Sequence, residues 1–73
     1  MKKKYLIVIE ETKSGYSAYC PDLPGCVATG DSQEEVEASM KEAIEFHLEG
    51  MKAEGIEIPP PKSKSAYYET EAA

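Results

Sequence analysis

The sequence predicts an α+β fold of order β-β-β-α-β: an antiparallel three-stranded meander, one long helix and a C-terminal strand. Three observations carry it. Short runs of β-branched and aromatic residues alternate with turn signals over residues 4–29. A capped stretch with apolar residues at helical spacing covers 33–54. A tyrosine pair, Tyr67-Tyr68, follows a proline run near the C-terminus.

The first strand is KYLIVIEET, residues 4–12. Tyr5, Ile7 and Ile9 share one face and Leu6 and Val8 the other, so both faces are apolar, as expected of a central strand. Lys13, Ser14 and Gly15 form a hairpin turn. The second strand is 16–20, with Tyr16, Ala18 and Cys20 on one face and Ser17 and Tyr19 on the other. Pro21 ends it, because proline has no N–H for the ladder. Residues 21–25 make a loop, and a short third strand occupies 26–29.

The helix starts at Ser32, with Glu35 three residues on as a capping box and Asp31 as the rival cap. Val36, Met40, Ala43, Ile44, His47, Leu48 and Met51 form its apolar stripe. Gly55 is the natural terminator. Pro59-Pro60-Pro61 then makes a donor-poor connector, and 65–71 is read as a fourth strand.

A chain of 73 residues is one domain, 1–73. Its core alone supplies only about 3–5 kcal/mol, so a partner or a second copy is expected to add stability. The net charge of −6 argues against direct nucleic-acid binding, which needs clustered lysine and arginine. The one basic cluster is Lys2, Lys3 and Lys4. No apolar run approaches the ~20 residues of a membrane span, and the N-terminus lacks the pattern of a signal peptide. A cytoplasmic protein is expected.

The candidate chemical groups are few. Cys20 and Cys26 have five residues between them, unlike a zinc knuckle or a redox pair. They read as two small half-buried residues closing a turn, with a disulfide as the alternative. His47 falls in the apolar stripe, without a nucleophile context, and reads as a core or interface residue. Glu10 and the helix acids read as solvated carboxylates, not a converging two-metal cluster. No catalytic residue, metal or cofactor is expected.

The ordered set of motifs resembles a known family. A Gly-Tyr-Ser-Ala-Tyr strand leads into Pro21-Asp22-Leu23-Pro24-Gly25-Cys26, then Gly30-Asp31-Ser32-Gln33-Glu34-Glu35, a long helix and Gly55-x-x-Ile58-Pro59-x-Pro61. This resembles the HicB-like antitoxins of toxin–antitoxin systems, over nearly the whole chain. The resemblance implies a partial ribonuclease H fold. It also implies binding and silencing of a small basic RNA-cleaving HicA-like toxin. Full-length members usually add a C-terminal DNA-binding domain; this chain ends at Ala73 without one, so direct operator binding is not expected.

An antitoxin-type module is therefore the leading expectation. An orphan homo-oligomeric domain binding another protein or a small ligand comes second, and a ribonuclease H-like enzyme third. Self-association is expected because one helix cannot cover two apolar sheet faces. The expected partner-binding residues are Tyr19 and Leu23 as apolar anchors, with Asp22, Glu45 and Glu49 as steering charges.

Overall fold

A computed structural model describes residues 2–72. Its elements are β1 (Val8–Thr12), β2 (Gly15–Tyr19), β3 (Val27–Gly30) and α1 (Gln33–Ala53). The strands form one antiparallel sheet in the order β1-β2-β3. The helix lies across one face of it, so the protein has two layers.

The expected strand at 4–12 is shortened to its second half. β2 offers it no partner beyond Tyr19, which pairs with Val8. After Tyr19 the chain turns away: the Cys20 N–H donates to the Cys26 carbonyl (3.1 Å) and Pro21 has no N–H to give. The other strands and the helix fall within one residue of expectation.

One expectation is corrected and a second is not shown. β1 is an edge strand, and β2 is the central one. The fourth strand at 65–71 has no ladder; no described residue beyond Ala53 belongs to a strand or helix. Apolar residues on both faces of β1 pointed to a central strand, but a strand is central only when both its edges are paired, and β1 pairs with β2 alone. Residues 64–72 are exposed throughout.

The helix start follows local chemistry. Ser32 has extended backbone (φ −138°, ψ 165°) and its Oγ accepts from the Glu35 N–H at 3.1 Å. Glu35 Oε1 in turn accepts from the Asp31 N–H at 3.3 Å, one residue earlier than the usual reciprocal partner. At the other end Gly55 has φ +70°. The Ile56 N–H donates to the Met51 carbonyl and the Gly55 N–H to that of Lys52, a Schellman closure.

Cross-strand pairing sorts the sheet's side chains. Ile9, Ala18 and Ala28 form one rung on the helix side. There Ala18, Cys20, Leu23, Cys26, Val36 and Met40 make the buried core, with Ile7, Ile9, Ile44, Leu48 and Met51 packed around it. Val8, Tyr19 and Val27 form the neighbouring rung on the opposite face, which no element covers.

Candidate functional site

The loop that joins β2 to β3 is two turns sharing one residue. The Leu23 N–H donates to the Cys20 carbonyl and the Cys26 N–H to the Leu23 carbonyl, both at 3.1 Å. Pro24 followed by Gly25 at φ +85° is the residue pattern of a type II turn. Together the turns fold the loop tip back under the sheet. Leu23 consequently has no accessible surface at all. This corrects its expected role: the side chain belongs to the core and cannot be an exposed anchor for a partner.

Asp22 is also occupied within the chain. Its Oδ2 accepts from the N–H groups of Lys62 and Ser63, and its Oδ1 from the Ser63 hydroxyl, all at 3.1 Å. A second tie lies nearby, where the Tyr5 hydroxyl donates to the Pro59 carbonyl. The proline connector is thus pinned across the N-terminal segment and the loop. The Ser63 N–H, with help from Lys62 and the Ser63 hydroxyl, holds the Asp22 carboxyl below its ordinary pKa of 3.8. Burial raises that of the Tyr5 hydroxyl, with Cys20 and Asp22 acting in the same direction.

The sign of the Asp22 linkage follows. A carboxylate whose folded pKa is depressed contributes at pH above the unfolded value and loses that contribution as pH falls through the folded one. The clamp therefore holds at neutral pH and loosens below the usual 3.8. Protection factors from amide exchange at Lys62 and Ser63 are expected to fall in that acid range. Asp22→Ala is expected to abolish them at pH 7 while the α1 amides stay protected. Unchanged protection at Ser63 in the variant would sink the clamp.

Cys20 and Cys26 are buried free thiols that flank the double turn. Burial pushes the Cys26 thiol up, and the adjacent Cys20 adds to the shift, which favours its protonated form. Among the described residues no group of three or more His, Cys, Asp or Glu is placed to hold a metal ion. His47 is half-buried on α1.

The exposed surface has two distinct apolar features. On the open sheet face, Val27 is 65% and Tyr19 42% exposed, beside half-buried Val8. The next rung, Glu10, Ser17 and Thr29, is polar. On the outside of α1, Phe46 is 80% exposed in a setting of Lys41, Glu42, Glu45 and Glu49. The five expected partner-binding residues therefore do not converge. Glu45 and Glu49 lie together on the helix exterior, Tyr19 lies on the other layer, and Asp22 and Leu23 are engaged internally. Phe46, Val27 and Ser63 escaped the sequence reading. Phe46 stands off the helical stripe, which was a signal available in the sequence; nothing local marked Ser63.

This is a small two-layer α+β domain whose exposed apolar and acidic features suit protein contact. Comparison with known proteins defines it further. Residues 5–72 match the model of the HicB_like antitoxin of bacterial toxin-antitoxin system, and the chain belongs to that family. It is 46% identical over 55 residues to an uncharacterized 14.9 kDa protein of Haemophilus phage HP1, a match covering 75% of this chain and 41% of the phage protein. The chain thus spans about two fifths of that relative's length. A UPF0150 protein of Synechocystis is 41% identical over 56 residues, covering 75% of this chain and 71% of that one. Among solved structures, a chain of the HicA3 and HicB3 toxin-antitoxin complex matches with a TM-score of 0.70 and 35% identity, over 81% of this chain and 70% of that one. No described helix is long and apolar enough to cross a membrane.

Proposed function

We propose that this chain is an antitoxin-type binding module that neutralises a small basic RNA-cleaving HicA-like toxin by protein–protein association. The observation that carries this reading is the fold match, at 35% identity, to a chain of a toxin–antitoxin complex. The charge balance supports it: an RNA-cleaving protein needs a basic surface to hold phosphates, and this chain has an acidic excess of six. In this reading the chain acts in the cytoplasm, without catalysis, cofactor or direct nucleic-acid contact. The test is co-expression with the neighbouring gene product, which on this reading is a short basic protein. Growth arrested by that protein should resume when this chain is induced. Absence of both rescue and binding would remove the reading.

The same molecule is proposed to self-associate through its open sheet face, and a homo-oligomer without a toxin is the second reading. The rung Val8, Tyr19, Val27 favours self-association, because it is apolar and uncharged and can meet its own copy without opposing like charges. Val27→Glu should shift the protein to monomer in analytical ultracentrifugation at tens of micromolar, with little effect on the isolated fold. A parent protein that is already monomeric there would exclude it. The fourth strand and the partial ribonuclease H layout belong with this proposal. Tyr67 lines the same depression as Ile7, Ile9 and Glu11, which supports 65–71 as the segment that would add to β1.

A further inference from the structure

Two residues on the outer face of α1 are poorly chosen for the free chain. Phe46 exposes a large ring to water and packs into no part of the core. Gly50 lies four residues on, one turn along the same face. Glycine inside a helix is less favourable than alanine. No internal contact requires it here, because a Cβ built at Gly50 meets nothing within 4 Å. An exposed ring standing beside a bare stretch of helix backbone makes a step that another molecule can fill.

The charges around the step say which molecule. Glu42 and Glu49 are the i−4 and i+3 neighbours of Phe46, and Glu45 precedes it; Lys41 lines the same surface, so three carboxylates and one ammonium leave it net acidic. None of the three carboxylates is held by a hydrogen bond among the described residues. A second copy seated here by a two-fold axis would set these acids against the same acids, which is repulsive. A nucleic acid is repelled likewise. A cationic protein surface is attracted, and a guanidinium can lie over the Phe46 ring while its N–H groups reach a carboxylate.

We propose that Phe46 and Gly50, with Glu42, Glu45 and Glu49 around them, are the seat for an arginine- or lysine-bearing face of the toxin-type partner. The proposal rests on the antitoxin reading and deepens it by naming the surface and the chemistry that meets it. Phe46 supplies the desolvated anchor, Gly50 the room for close approach, and the acids the complement to the partner's cations.

The test uses the full chain and the neighbouring gene product, made inactive as a nuclease by substitution so that it can be purified. Affinity and melting temperature are measured for the parent, Phe46→Ala and Gly50→Ala. Phe46→Ala should weaken binding by roughly tenfold or more, with its melting temperature unchanged. Gly50→Ala should raise the melting temperature by a few degrees and still weaken binding, a divergence that a purely structural role does not produce. If the parent binds and rescues growth while both variants bind within about twofold of it, this seat is wrong and the antitoxin reading stands. A large drop in the melting temperature of Phe46→Ala would make the ring structural and also overturn the seat. A parent that neither binds nor rescues removes both ideas.

Discussion

Leu23→Ala is expected to lower the unfolding free energy by about 3 kcal/mol, as for other fully buried leucines. That is most of what a chain of this size possesses. The side chain has no accessible surface and sits among Ala18, Cys20, Cys26, Val36 and Met40. Removing it leaves a void that the surroundings cannot readily close. Its own backbone is fixed by two successive turns, with Pro21 and Pro24 at their second positions. Asp22, the next residue back, is tied to Lys62 and Ser63 across the loop. Urea unfolding followed by circular dichroism should therefore find a midpoint far below the parent's. Leu23→Met, which nearly conserves volume, should recover most of the loss. A cost under about 1 kcal/mol for the alanine variant would mean that the loop collapses or that Leu23 is not part of the core.

Leu23 also shows where sequence reasoning ran out. A leucine between two prolines looks like an exposed loop tip, because loops usually run over the surface. Its burial depends on the double turn folding back under the sheet. That requires the loop to be closed across its base, where the Cys20 N–H donates to the Cys26 carbonyl, a pairing set by three-dimensional closure and not by periodicity. The helix was legible for the opposite reason. Ser32, Glu35, the apolar stripe and Gly55 each act within a few residues, so the local signals are the structure. The hairpins were legible too, being short-range.

The status of β1 was not. Leu6 and Val8 made it look internal, but an apolar second face means only that something should cover it. Among the described residues no element does. The strand expected at 65–71 has the residues for a ladder, yet the last tie holding the tail is at Ser63. Pairing needs a neighbour as well as propensity. Phe46 was missed because a stripe analysis selects residues that agree with the period. An aromatic that breaks the period marks a second, outward surface instead.

That outward surface carries the second large effect. Glu45→Lys with Glu49→Lys is expected to slow association with a basic toxin-type partner by roughly tenfold or more at low salt. The two reversals change the net charge from −6 to −2, each adding two units. They do so on the helix exterior, beside Phe46, where steering matters most. Stability should hardly move. Both positions are solvent-exposed, where surface charge pairs contribute little, and the like-charged i,i+4 pair Glu45–Glu49 is exchanged for another of the same kind. Dissociation should change less than association, since exposed rim charges mainly govern encounter. Phe46→Ala should behave inversely, speeding dissociation while leaving the salt dependence intact. Raising the ionic strength shortens the screening length from about 10 Å at 0.1 M to about 3 Å at 1 M. The parent's association rate should therefore fall toward that of the double variant as salt rises. Surface binding kinetics at low and high salt measure all of this at once. Parent association that is slow, indifferent to salt and unaltered by the reversals would remove electrostatic steering from the account, and the acids of α1 would then be only a solvated face.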